Sequence, residues 1–184
     1  KAVHELTHGA LTMAGQICVA AARFLVDERV APAFEEKITA AFKAVRVGPG
    51  ADPASQMGSL IDRDNLARLE RIIERAGDEG ELLLRGTALN QGAFLTPTLF
   101  RINNTASALV QDELFGPIVS VETFSEEAEA VAKANATSYG LAASVFTSDN
   151  GRAMRMSRAI RAGTVWVNSH MRLIAEGETG GFGQ

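Results

Sequence analysis

Apolar residues along this chain change their spacing repeatedly, and each change marks a new element. Residues 23–26, Arg-Phe-Leu-Val, read as a short strand. Phe34, Ile38, Ala41, Phe42 and Val45 then fall at helical spacing, with Pro32 tolerated in the first turn. Residues 47–58 hold Gly48, Pro49, Gly50, Pro53 and Gly58 and read as a loop. A second helix puts Leu66, Leu69, Ile72, Ile73 and Ala76 on one face and Arg68, Glu70, Arg71, Glu74 and Arg75 on the other. Gly77 and Gly80 are expected to end it. Residues 81–85 can form a strand, and Ile118-Val119-Ser120-Val121 opens one that extends to Phe124. Residues 126–136 read as a helix, with Ser125 as its cap. Residues 143–147, 152–161 and 163–167 follow as strand, helix and strand.

This alternation with short connections predicts an α/β fold. The expected architecture is a single open, mostly parallel sheet with helices on both faces. The strands starting at Ile118, Ala143 and Gly163 are expected to be adjacent or nearly so, because right-handed crossovers place successive parallel strands side by side. No internal repeat or linker divides the chain, so residues 1–184 are read as one domain.

Bulk composition narrows the function. The 184 residues carry a formal net charge of −4, with 46% hydrophobic and 22% charged positions. That balance suits a globular protein and argues against nucleic-acid or membrane-surface partners, which need clustered Lys and Arg. No run approaches a membrane span, and residues 1–16 lack the pattern of a signal peptide. The single cysteine, Cys18, cannot form an internal disulfide. The sequons at Asn103 and Asn135 are read as chance occurrences. A cytoplasmic location is the expectation.

Three segments hold candidate chemistry. Gly15-Gln16-Ile17-Cys18 stands before a run of small residues that would let backbone pack closely around a thiol. A thiolate is the nucleophilic form of cysteine. By themselves, these residues favour a buried structural cysteine. In Gln111-Asp112-Glu113-Leu114-Phe115-Gly116-Pro117, two acids, an aromatic and a turn precede a buried strand. Ligands of open α/β folds bind at such strand ends, and a carboxylate such as Glu113 accepts hydrogen bonds from sugar hydroxyls. A solvated acidic turn is the plainer reading. Gly163-Thr164-Val165-Trp166-Val167-Asn168 places Asn168 where a site loop begins, followed by His170, which reads as a solvated loop histidine. No metal-ligand spacing, glycine-rich phosphate loop or serine-nucleophile elbow is present.

Taken in order, these segments resemble the aldehyde dehydrogenase superfamily from about residue 9 onward. Gly15-Gln16-Ile17-Cys18 is similar to its catalytic-cysteine motif, and Gln111 to Pro117 to its acidic Phe-Gly-Pro block. Residues 135–141, with Tyr139-Gly140-Leu141, and 163–168 match further blocks. The resemblance implies that Cys18 is the catalytic nucleophile. It also implies that Glu113 holds the nicotinamide-side ribose and that Phe115 packs against the nicotinamide region. Asn65 and Arg68 fall on the helix that approaches the adenosine ribose in relatives.

NAD or NADP is the implied cofactor, a small-molecule aldehyde the substrate, and a homo-oligomer the intact form. The chain then corresponds to the cysteine-bearing catalytic domain, without the family's preceding cofactor-binding domain or its final oligomerisation segment. The family's glutamate base and oxyanion-hole asparagine are not visible in it. Residues 178–181 read Glu-Thr-Gly-Gly where relatives have Pro-Phe-Gly-Gly. Residues 168–173 cover the substrate-pocket loop without the usual aromatics, and Arg172 there is either solvated or placed to meet an acidic aldehyde. Alternatives are a semialdehyde or CoA-acylating member, or a non-catalytic structural protein of the same fold.

Overall fold

Seven residues, Ile118–Phe124, form strand β4, and their first five positions are all buried. Burial at successive positions, which point to opposite faces, marks a strand covered on both faces, with Ser120 and Glu122 as polar members of it. The computed structural model of the chain describes residues 1–172 and 177–183. Its other strands are β1 (Arg23–Asp27), β2 (Glu81–Leu84), β3 (Thr98–Arg101), β5 (Ala142–Val145) and β6 (Thr164–Val167). The helices are α1 (Ala2–Leu11), α2 (Ala31–Lys43), α3 (Arg63–Arg75), α4 (Ala108–Gln111), α5 (Glu127–Ala134) and α6 (Asn150–Ala159).

β4 pairs in parallel with β1 on one side and β3 on the other, and β2 adds antiparallel to β3, giving the order β1-β4-β3-β2. β5 and β6 pair in parallel with each other. The fold is therefore α/β and mostly parallel, as the alternating pattern predicts. The ladder is interrupted, however. β4 does not neighbour β5 or β6, and Phe24, Leu25 and Val26 of β1 line a cleft together with Ala142 to Val145 of β5.

Side chains alternate across a strand, so β1 serves two layers. Phe24 meets Phe34 and Phe42 of α2 edge-on, at ring-centroid separations of 5.8 and 6.5 Å. On the opposite face, Arg23 reaches α5 by donating from Nη1 to the Lys133 carbonyl at 2.8 Å. Helices thus cover both faces. The core centres on fully buried Ile38, Phe42, Leu69, Leu99, Phe100, Ile118 and Val121, each contributing about 1.5–3 kcal/mol by leaving water.

Helix starts follow local chemistry. Asp62 caps α3 by accepting from Asn65 N at 2.7 Å, and Asp149 caps α6 by accepting from Arg152 N at 3.0 Å. Pro32 lies in the first turn of α2. Two expected boundaries differ. Glu126 rather than Ser125 occupies the cap position of α5, because the Glu129 carboxylate folds back onto Ser125 N and Oγ at 2.9 and 3.0 Å. α3 continues into a short 3₁₀ turn, Ala76–Asp78, and neither Gly77 nor Gly80 adopts the left-handed conformation of a glycine cap. Among the described residues, no helix is long and apolar enough to cross a membrane.

One charged pair lies inside the packing. Glu122 of β4 is 1% exposed; its Oε2 accepts from Arg23 Nε at 2.5 Å and its Oε1 from Thr105 Oγ1 at 2.7 Å. Removing one partner of a buried pair strands the other charge. Arg23→Met is expected to destabilise the domain by about 3–5 kcal/mol, and Arg23→Met with Glu122→Leu to recover most of that loss. Urea denaturation followed by tryptophan fluorescence (Trp166 is the sole tryptophan) measures both. Equal stability of the single variant and the wild type would show that the pair is dispensable.

Candidate active site

Two of the three motifs with candidate chemistry, about a hundred residues apart, meet back to back. A Cβ on Gly15 would lie 2.3 Å from the Gly116 carbonyl oxygen, closer than real Cβ atoms approach backbone. Gly15 also has φ +71°, the left-handed region that favours glycine. Only a glycine permits this contact between the loop before Cys18 and the Phe115-Gly116-Pro117 turn.

Strain gathers at the same place. Met13, Ala14 and Phe115 all have positive φ, at 52°, 55° and 53°. Non-glycine residues hold such angles where surrounding structure over-determines them, which is common at functional sites. Met13 and Ala14 lie in a 3₁₀ turn, Thr12–Gly15, that leads the chain out of α1 and into the cysteine loop.

A hydrogen-bond chain on α3 braces both loops. Gln16 Oε1 accepts from Ile61 N at 2.9 Å and from Asn65 Nδ2 at 3.3 Å. Asn65 Oδ1 accepts from Arg68 Nε and Nη2 at 3.0 and 2.8 Å, and Arg68 Nη2 also donates to the Leu114 carbonyl. Gln16 stands two residues before Cys18, and Leu114 lies between Glu113 and Phe115. Asn65 and Arg68, which the resemblance directs toward the adenosine ribose, bond Gln16, each other and Leu114 and so tie into the loop scaffold.

Cys18 is exposed, so the buried structural cysteine favoured by its neighbours does not hold. The 3₁₀ turn throws the loop outward before β1 begins. Cys18, Glu113 and Phe115 all line one cleft of about 960 Å³. Phe115 is 42% exposed with its ring unpaired among the described aromatics, and Glu113 is exposed too. Tyr139, from the block at residues 135–141, also lines the cleft, and its hydroxyl accepts from Glu113 N at 3.0 Å. An aromatic face and an open carboxylate beside a thiol suit a flat heteroaromatic ring joined to a sugar diol, so these residues fit a nicotinamide nucleotide. Among the described residues, no cluster of His, Cys, Asp or Glu is arranged to hold a metal ion.

The remaining motif residues act as joints. Asn135 Nδ2 donates to the Ala159 carbonyl at 2.9 Å and its Oδ1 accepts from Arg161 N at 2.8 Å, locking α5 to the end of α6. Asn168 has φ 53°, and its side-chain amide bonds Thr147 N and O at 3.0 and 2.9 Å. It lies behind the cleft rim, since Thr147 lines the cleft and Asn168 does not.

His170 is not the solvated loop histidine its isolation suggests. It is 7% exposed, stands edge-on to Trp166 at 5.2 Å, and bonds Ser144 and Val19. Burial lowers its pKa below the ordinary histidine value, partly opposed by the bond to the Val19 carbonyl. Arg172 is exposed, with Nη2 3.5 Å from Glu5 Oε1. The substrate-loop segment extends to Leu173, which lies outside the described residues.

The whole of residues 1–184 matches the model of the aldehyde dehydrogenase family. The chain belongs to that family. It is 37% identical, over 92% of its length, to (Z)-2-((N-methylformamido)methylene)-5-hydroxybutyrolactone dehydrogenase of Acinetobacter baylyi, and 34% identical over its full length to betaine aldehyde dehydrogenase of Bacillus subtilis. It spans 35% and 39% of those proteins. Among solved structures, an indole-3-acetaldehyde dehydrogenase complexed with NAD+ superposes with a TM-score of 0.95 at 33% identity. A Staphylococcus aureus betaine aldehyde dehydrogenase double mutant, with NAD+ and a BME-modified cysteine, superposes at 0.94 and 33%. Each match covers 99% of this chain and 38% of the other.

The sequence did not point to Tyr139 and Gln16 as parts of the site. Gln16 was visible within its motif, but its bracing role needs α3, which is folded from residues about fifty positions away.

Proposed function

We propose that this chain is the cysteine-bearing catalytic domain of an NAD(P)-dependent aldehyde dehydrogenase that oxidises a small-molecule aldehyde to a carboxylic acid. One observation carries the reading: Cys18 is exposed in the cleft that Glu113 and Phe115 also line, with the two loops locked together at Gly15 and Gly116. Family membership supports the reaction class. The NAD+ bound in the two superposed structures supports the cofactor.

The Cys18 thiolate adds to the aldehyde carbon. A carbon–sulfur bond forms, and the carbonyl electron pair moves to oxygen to give a thiohemiacetal oxyanion. Backbone N–H groups of the cysteine loop stabilise that charge. Bound NAD or NADP supplies the acceptor for the hydride leaving this carbon. Collapse of the oxyanion restores the carbonyl as a Cys18 thioester, and attack by water releases the acid and regenerates the thiol. Glu113 orients the ribose through its carboxylate, and Phe115 limits where the ring lies. The intact protein is read as a cytoplasmic homo-oligomer on the family resemblance.

The test is alkylation of the intact protein with iodoacetamide, mapped by peptide mass spectrometry. Modification of Cys18 is expected to parallel loss of NADH formation, and NAD+ to alter the modification rate. Full activity after complete Cys18 alkylation would overturn the proposal.

A further inference from the structure

The cysteine loop is fastened on its other side by a residue the reaction does not use. Val19, next in the chain to Cys18, presents its carbonyl to His170 Nε2 at 3.1 Å. His170 Nδ1 faces Ser144 Oγ of β5 at 2.7 Å. A carbonyl only accepts, so Nε2 carries the hydrogen, and in the neutral ring Nδ1 accepts from the serine hydroxyl.

We propose that His170 is a positioning residue for the nucleophile, its imidazole tying the Cys18 loop to the β5–β6 sheet. The inference rests on Cys18 being the nucleophile of the proposed reaction.

The seat for this ring is shaped for it. Gly9 of α1 lies against the imidazole: a Cβ there would come within 2.1 Å of its Cδ2 and 2.8 Å of its Nε2. The Gly9 carbonyl meanwhile accepts from Ala21 N at 3.1 Å, so the same helical turn that admits the ring also holds the far end of the loop. Trp166 of β6 closes the other side, with its own Nε1 donating to the Arg172 carbonyl at 3.0 Å. Burial favours the neutral ring that this pattern of one donor and one acceptor uses. Glu5 and His8 of α1 are the charged and titratable groups that act on it, with opposite effects.

The loop is therefore held from two directions. Gln16 fixes it to α3 ahead of Cys18, and His170 fixes it to the second sheet behind. Cutting the second tie leaves the thiol attached and exposed, but free to drift from the attacking position. Misplacements of about an ångström cost on the order of 100-fold in rate.

The experiment compares His170→Leu, His170→Gln and Ser144→Ala in the intact protein. His170→Leu keeps apolar volume and loses both bonds. Its kcat is expected to fall by about 10- to 100-fold while KM for NAD+ stays at the wild-type value. Amide hydrogen exchange should quicken in residues 16–22 and remain unchanged in β4. His170→Gln, whose amide nitrogen can restore the donor to Val19, should recover most of kcat and of the loop's protection. Ser144→Ala should give a smaller loss in the same direction. If His170→Leu keeps wild-type kcat and loop exchange, the proposal is overturned. It is equally overturned if exchange quickens throughout β4 and Gln rescues nothing, since His170 is then packing alone. Should His170→Leu not fold, unchanged kcat and loop exchange in Ser144→Ala overturn it. Loop exchange reads the tie independently of turnover, and a Cys18→Ala control that retains turnover would instead refute the nucleophile.

Discussion

Cys18→Ala in the intact protein is expected to lower aldehyde-dependent NADH formation by about 10⁴-fold or more, since loss of a covalent nucleophile removes the route itself. The backbone should not change. Cys18 is exposed, and the loop is set by Gly15, Gln16 and Val19 rather than by the thiol. NAD+ binding should therefore survive, because Glu113 and Phe115 belong to the other loop. Steady-state turnover with several aldehydes, together with NAD+ titration by fluorescence quenching, separates the two effects. Turnover within tenfold of the wild type would mean that another group attacks the aldehyde. Joint loss of turnover and NAD+ binding would mean that the substitution had disturbed the scaffold.

The isolated 184-residue chain is expected to form no measurable NADH. It carries the Cys18 thiol and the residues proposed for part of the cofactor contacts. The base for thioester hydrolysis and the side-chain oxyanion donor that the family uses are not visible among its motifs. Losing one oxyanion donor costs about 100- to 1,000-fold, and losing a general base about 100- to 10,000-fold. The relatives it matches are more than twice its length, with the chain spanning 35–39% of those compared above. The purified chain, assayed at high enzyme concentration with aliphatic and aromatic aldehydes, tests this. Turnover comparable to a full-length relative would show that residues 1–184 hold the complete machinery.

Elements with strong local signals were legible in the sequence. The apolar run at Ile118 and the two-faced pattern of α3 carry their structure within a few residues. β3 was not foreseen. Thr98–Arg101 is four residues long, directly follows Pro97, and owes its burial to pairing with β4 rather than to any pattern of its own. The strands β5 and β6 are legible as strands, but their separation from β4 is not, because strand neighbours are decided by packing between distant segments. Cys18 reads as a core thiol among small residues, yet it is exposed, and the left-handed backbone at Met13 and Ala14 that precedes its loop leaves no signature in the sequence. His170 has no hydrogen-bond partner nearby in sequence. Ser144 and Val19 are 26 and 151 residues away, so its burial left no local trace.

The central pairing also has a temporal meaning. Arg23 sits opposite Ser120, and Asp27 opposite Phe124. Contacts spanning roughly a hundred residues form slowly, since a long loop must close before they repay its entropy. On the ribosome, the segment bearing Cys18 emerges about a hundred residues ahead of Phe124 and has no β4 to pair with until then. His170, which fastens it from behind, arrives later still. The reactive loop is thus synthesised well before the strand and the histidine that give it its final form.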